Sequence, residues 1–363
     1  MPRLLRFLIL SCAVLGLLGA VGERAKADPA TPAATPNMHG WQQIVLSGDT
    51  QCSRGTPYSF FFRPAPVTAQ KLMIFFEGGG ACWNALTCIK GSPYFKDAIS
   101  PNELDSYNKG VFDLNNPENP AADYDAVLIP YCTGDVHVGD STSNYKLTDY
   151  TLTIHHNGYK NVTAVLAWIY AHYTAPQQIF IAGVSAGAYG AITYADTIIT
   201  HYPNAQIVQI GDAGVGVTAH NWGGLADWGF FDVIKQVRPD LSQAGPGAFN
   251  INMLYTTSLK RSPNVIFSEY TSANDKTQTT FYQLMGGSDW PGGMEAMLKE
   301  LDAYPNFRSF VAGGDVHTVL SRPEFYTYSA NGVRVRDWLA NLLTGKLDQV
   351  TNVHCTLCDQ AGQ

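Results

Sequence analysis

Residues 179–191 read IFIAGVSAGAYGA, an apolar run that meets Gly-Val-Ser-Ala-Gly and continues into small residues. This is a G-x-S-x-G pattern at a strand-to-helix junction. Such a turn needs small residues around the serine and presents its Oγ at the carboxyl end of the strand, beside a helix N-terminus that favours developing negative charge. It constrains the fold, because it requires a buried strand followed at once by a helix. The flanks supply both: 177–185 is strand-like, and 186–202 suits a helix of small and β-branched residues.

The same alternation runs along the chain. Strand-like runs occupy 71–79, 124–132, 205–214, 264–272 and 307–314, and helical patterns occupy 161–173, part of 290–304, and 333–343. One continuous strand–helix series predicts an α/β fold with a mostly parallel central sheet and helices on both faces. No linker divides 41–363, which reads as a single domain. Residues 213–262 lack β periodicity and read as an insertion near the active site, whose Trp222, Trp228, Phe230 and Phe231 either line a pocket or form a local core.

The N-terminus is set apart. A basic start, an apolar stretch at 7–22 and the small-x-small sequence Ala25-Lys26-Ala27 predict a cleavable signal peptide over 1–27, and 28–40 is a Pro/Ala/Thr-rich flexible leader. The expected destination is the periplasm or the medium. Removing 1–27 takes four basic residues (Arg3, Arg6, Arg24, Lys26) and one acid (Glu23), so the net charge moves from −7 to −10. That balance argues against nucleic acid or an anionic membrane as partner. A monomer is expected. Six cysteines remain once Cys12 has left, an even number that suggests disulfides in an exported protein. Neighbours pair as Cys82–Cys88 and Cys355–Cys358, leaving Cys52–Cys132; this is one of fifteen connectivities. A zinc site from His354, Cys355 and Cys358 is the alternative, without a second ligand pair at suitable spacing.

A serine nucleophile needs a base, and the base an orienting carboxylate. In the order this elbow implies, acid and then histidine follow the serine on loops after later strands. Ser185, Asp275 and His317 meet that order on strand ends. Asp212 also ends a strand and is the alternative acid; with Asp275 as acid, Asp212 is expected to brace a loop through backbone N–H groups. His137 is the rival base, and His155, His156, His172, His201 and His220 are expected at surface or capping positions. An oxyanion hole is expected from the backbone N–H of Ala186, directly after the serine, and from the glycine turn Glu77-Gly78-Gly79-Gly80-Ala81, because glycines after a strand let the backbone approach a substrate. No phosphate-binding glycine frame is present. No metal or cofactor is required, and Asn161-Val162-Thr163 is read as a chance glycosylation match.

FEGGGACW (76–83), NPENP…PYCTGD (116–135), GVSAGAYG (183–190) and QIGDAGVG (209–216) together resemble the pectin acetylesterase family. The resemblance implies a metal-free serine esterase of α/β-hydrolase-like fold, with Ser185 as nucleophile, Asp275 as acid and His317 as base. It also implies Gly79, Gly80 and Ala186 as oxyanion donors. The chain departs from the family at Val184, where cysteine is frequent, at Trp83, and at its CTLCDQAGQ ending. The leading expectation is a secreted esterase that removes acetyl from a polysaccharide such as pectin. A lipid carboxylesterase or polyester depolymerase with the same triad, and a non-catalytic binding protein, are the alternatives.

Overall fold

A computed structural model describes residues 32–33, 39–66, 70–100, 102–219 and 223–362. The expected signal peptide, most of the leader, His220 and Trp222 lie outside the described residues. Ten strands form the main sheet: β1 (Pro32–Ala33), β2 (Gln42–Val45), β3 (Ser59–Arg63), β4 (Lys71–Phe76), β5 (Asp125–Ile129), β6 (Gln178–Val184), β7 (Gln206–Asp212), β8 (Ile266–Ser272), β9 (Phe307–Ala312) and β10 (Val353–His354). Their order across the sheet is β1-β2-β3-β5-β4-β6-β7-β8-β9-β10. From β5 to β10 every pair is parallel, while β1 to β3 add an antiparallel margin that joins β5 antiparallel. The central strands read as continuous apolar runs such as KLMIFF and QIFIAGV because both faces are covered.

Two cores lie on opposite sides of that sheet. On one, α1 (Gly158–His172), α2 (Ala186–His201), α4 (Asn252–Arg261) and α6 (Trp290–Leu301) bury Leu166, Ile198, Leu254 and Leu298 against Ile74 and Ile181. The other is closed by α7 (Val335–Leu343), whose Trp338 and Leu342 pack with Phe75, Phe180 and Phe310. The 213–262 segment is helical, with a short turn of helix at Gly224–Asp227, then α3 (Phe230–Val237) and α4. A further helix, α5 (Lys276–Leu284), starts directly after Asp275. The outer strands β2 and β3 and a separate hairpin, Ser141–Lys146 with Thr151–His156, lay outside the sequence reading.

Cys52–Cys132, Cys82–Cys88 and Cys355–Cys358 are disulfide-bonded. The pairing by sequence proximity is therefore the right one of the fifteen, and the zinc alternative fails because Cys355 and Cys358 hold no free thiols. No cluster of three or more metal-ligating side chains occurs among the described residues. No helix among them is long and apolar enough to cross a membrane.

Cys52–Cys132 spans a sequence separation of 80 residues and fixes the chain entering β3 to the loop after β5. Chain-entropy reasoning assigns a closure of that length a stabilisation of about 4 kcal/mol. The Cys52→Ala/Cys132→Ala protein is expected to lose about that much in a urea titration. A change below about 1 kcal/mol would show that the native contacts around β3 close this loop unaided.

Candidate active site

Ser185 sits between β6 and α2 at φ 54° and ψ −122°, a backbone conformation that L-residues rarely adopt and that marks stored strain. The flanking glycines make it possible. A Cβ on Gly183 would strike the Gly187 carbonyl and come within 2.8 Å of Ala188 N, and one on Gly187 would lie 2.7 Å from the Glu77 carbonyl. Close backbone approach of α2 to the end of β4, rather than glycine flexibility, sets the motif. Ser185 N donates to Asp212 O at 2.7 Å, which ties the elbow to β7.

Asp275 is fully buried at the N-cap of α5. Its Oδ1 accepts from Gln278 N at 2.9 Å, and its Oδ2 accepts from Gln278 Nε2 at 3.0 Å and from His317 Nδ1 at 2.8 Å. Because a carboxylate can only accept, the proton of His317 belongs on Nδ1. His317 Nε2 is then an acceptor, and it has no partner among the described residues. Ser185 and His317 line the same two cavities, so that nitrogen is the group available to take a proton from the serine.

Asp212 is buried too but makes different contacts. Its Oδ2 accepts from Val319 N at 2.8 Å and Leu320 N at 2.7 Å, bracing the loop just beyond His317. Burial raises this carboxyl to about 7 even though those two N–H bonds pull it down. His137, the rival base, is also buried. Its Nε2 is 2.8 Å from the Glu77 carbonyl and donates to it, and burial lowers its pKa to about 4, so it stays neutral. The bond holds the chain immediately before the glycine turn. His156 is interior rather than at a surface position: Nδ1 meets Thr133 O at 3.0 Å and Nε2 meets Tyr145 Oη at 2.9 Å.

Gly78, Gly79 and Gly80 follow β4 and face the elbow. A Cβ on Gly78 would be 2.6 Å from Val184 O and 2.9 Å from Ser185 Cβ. Gly80 lines both cavities that meet at Ser185, Gly79 lines one of them and Ala186 the other. The segment before the turn is fixed by Glu77, a residue the sequence reading passed over. Its carboxyl accepts from Lys96 Nζ at 2.6 Å, Tyr107 Oη at 2.8 Å and Tyr131 N at 2.8 Å. Its place next to three glycines was the only available sequence signal. Burial raises Glu77, and the Lys96 charge opposes that rise.

One cavity, of about 100 Å³, is walled largely by apolar side chains, among them Trp83, Trp228, Phe230, Phe249, Phe281 and Trp290. Residues 213–262 both line a pocket and form a local core: Trp228 and Phe230 line the cavity, while Phe231 packs with Phe230 and Phe249 beside it. The other is an open cleft of about 490 Å³ bordered by Glu77, Tyr94, Lys96, Tyr107 and Thr318.

A sequence model of pectinacetylesterase matches residues 38–237, more than half of the chain. The chain belongs to the pectinacetylesterase family. This is a family of carboxylic ester hydrolases. Among relatives, palmitoleoyl-protein carboxylesterase Notum of Schmidtea mediterranea is 27% identical over 158 residues, covering 42% of this chain and 29% of that protein. The human protein of the same name is 25% identical over 199 residues, 54% of this chain and 37% of its own length. The match thus spans about a third of these relatives. The solved structure of the Wnt deacylase Notum from Drosophila superposes with a TM-score of 0.61 at 15% identity, over 86% of this chain and 95% of that one. That likeness establishes the α/β-hydrolase fold of this pectinacetylesterase family member.

The two buried aspartates separate by substitution. Asp275→Asn is expected to cost about 10⁴-fold in kcat on an ester substrate, because the amide favours the wrong histidine tautomer. Asp212→Asn keeps an oxygen for Val319 and Leu320 and is expected to lose less than about tenfold. The reverse ranking would make Asp212 the acid.

Glu269, beneath this site on β8, accepts from Gly214 N at 2.8 Å and Tyr255 Oη at 2.9 Å. Burial raises it from 4.5 to about 8. The folded chain therefore keeps a proton that the unfolded chain releases. The stability this carries is complete below pH 4.5 and is lost as pH rises through 8. Glu269→Gln is expected to flatten the fall in melting temperature between pH 5 and pH 8. An unchanged slope would remove Glu269 as its source.

Proposed function

We propose that this chain is an exported serine ester hydrolase acting on O-acyl groups of a polysaccharide such as pectin, with acetyl as the acyl group. In this reading Ser185 Oγ attacks the acyl carbon while His317 Nε2 takes its proton. Asp275 holds the Nδ1 tautomer and stabilises the imidazolium. The N–H groups of Gly79, Gly80 and Ala186 receive the oxyanion, each donor worth about 3 kcal/mol in such sites. His317 then protonates the leaving sugar alkoxide, and water, deprotonated by His317, releases the carboxylic acid and regenerates Ser185. The single observation that carries the reading is the meeting of Ser185, the Asp275-held His317 and the glycine turn where an apolar cavity joins an open cleft. The family match supports the acetyl ester and the polysaccharide. The three disulfides fit export to an oxidising compartment.

A second reading is favoured by the size of the apolar cavity. At about 100 Å³ it holds more than a methyl group; an apolar cavity of roughly 150 Å³ accepts benzene. It therefore has room for an acyl chain longer than acetyl, and the relatives named as palmitoleoyl-protein carboxylesterases point the same way.

The test is hydrolysis of p-nitrophenyl esters of two, four, eight and sixteen carbons by the protein and its Ser185→Ala variant. The variant is expected to lose at least about 10⁴-fold in kcat. A kcat/KM maximum at acetate supports the acetylesterase reading, and acetate release from acetylated pectin then follows. A maximum at four carbons or more selects the second reading. Turnover that survives in Ser185→Ala sinks both, and no turnover on any ester revives the binding-protein alternative.

A further inference from the structure

The loops that carry Asp275 and His317 are joined by a third segment. Asn274 immediately precedes the acid, and Gly314 lies three residues before the histidine. Both bind one acceptor, the carbonyl oxygen of Cys358: Gly314 N donates at 2.8 Å and Asn274 Nδ2 at 3.2 Å. Asn274 Nδ2 also lies 3.3 Å from Asp359 Oδ1, and Asn274 N donates to Gly314 O at 2.9 Å. Gly314 has φ +93°, and a Cβ there would be 2.6 Å from Ala361 Cα, so the C-terminal segment seats directly on the turn. Cys358 is bonded to Cys355, which continues β10 and donates its N–H to Val311 O at 2.9 Å.

We propose that the Cys355–Cys358 disulfide is a positioning element for the Asp275–His317 pair. It fixes the Cys358 carbonyl against β9, and that carbonyl sets the spacing of the two loops. The inference rests on the esterase reading above for its consequence in turnover, but not for its geometry. It extends to redox sensitivity. A dithiol reduces the bond by exchange: one thiolate attacks Cys358 or Cys355 sulfur, the second closes the reagent's own disulfide, and two electrons and two protons end on Cys355 and Cys358 as thiols. The bond is also the accessible one. Cys52, Cys132, Cys82 and Cys88 are fully buried, whereas Cys355 and Cys358 are half-buried. A short, partly exposed C-x-x-C loop is the first to be reached by a thiolate.

The experiment treats the full chain with low dithiothreitol, identifies the opened bond by alkylation and mass spectrometry, and follows three properties. Opening Cys355–Cys358 alone is expected to lower kcat about tenfold with KM within twofold, because loosening displaces the base and not the substrate pocket. The acidic limb of kcat/KM is expected to move to lower pH, since a weaker Asp275 contact stabilises the imidazolium less. The downfield proton resonance of His317 Nδ1–H, which reads that contact without any turnover, is expected to broaden or move upfield. Cys355→Ser/Cys358→Ser should reproduce all three and no longer respond to dithiothreitol. Asn274→Ala, which keeps the disulfide, should move them in the same direction by less. An unchanged resonance and kcat after the bond opens overturns the proposal. A dithiothreitol response that persists in the double-serine protein does so as well, as does loss of the far-ultraviolet circular dichroism on opening, which would make the bond a fold-wide staple. Activity retained by Ser185→Ala defeats the esterase reading alone, because the Nδ1 resonance still reads the contact.

Discussion

Everything at this site depends on how closely helix α2 approaches the end of strand β4. At Gly187 there is no room for a Cβ against the carbonyls of Phe76 and Glu77, and at Gly183 none against Gly187 itself. The contact forces Ser185 into a strained conformation that a serine would not adopt alone. It also brings the glycine turn after β4 against the serine, with Gly78 meeting Val184 O and Ser185 Cβ. Nucleophile and candidate oxyanion donors are thus placed by one packing event. A side chain at either glycine would separate them before it altered any chemical group.

Around that contact the structure uses buried polar groups to hold backbone. Glu77 carries Tyr131 N, Asp135 carries Gly158 N at 2.8 Å, Asp212 carries Val319 N and Leu320 N, and Glu269 carries Gly214 N. Buried N–H groups left without partners would be costly, and these carboxyls take N–H groups of loops and, at Gly158, of the first turn of α1. Burial moves all four acids upward, to about 6 for Asp135, about 7 for Asp212 and about 8 for Glu269. Asp275 differs in what it holds. It caps a helix and meets a histidine, so its contacts orient a side chain rather than a loop.

That difference marks how far the sequence could be read. The parallel strands were visible because burial on both faces makes them continuous apolar runs, and the elbow because its glycines are sterically required. Ser185 and His317, with Asp275 or Asp212 as the candidate acid, were legible from strand ends and chain order. The choice between Asp275 and Asp212 was not, since both end adjacent strands and only side-chain direction separates them. Strands β2 and β3 escaped notice because short outer strands such as QQIV and SFFFR carry little periodicity. His156 read as a surface residue because nothing local shows that Thr133 and Tyr145 enclose it. Glu77 was hidden for the same reason: its partners lie 19, 30 and 54 residues away.

The two cavities that meet at Ser185 draw on different crossovers of the sheet to different extents. The apolar one is lined by the segment after β7, through Ala213, Val217, Trp228 and Phe230, and by Phe281 from the helix that Asp275 caps. The cleft is bordered by the loop after β4, where Lys96 meets Glu77 and Glu103. The loop after β4 reaches both cavities, since Gly80, Ala81 and Trp83 also line the apolar one, whereas the segment after β7 lines the apolar cavity and not the cleft. On the proposed esterase reading, changes in the segment after β7 act on the acyl side, and changes in the loop after β4 reach both sides. The second loop also carries the oxyanion candidates, so it is the less free to vary: any insertion between Glu77 and Lys96 must still return Gly79 O to Lys96 N and Ala81 N to Tyr94 O, both 2.9 Å bonds. The segment after β7 holds no such donors, which on the proposed esterase reading leaves acyl-group selectivity the property this architecture can change without disturbing the chemistry.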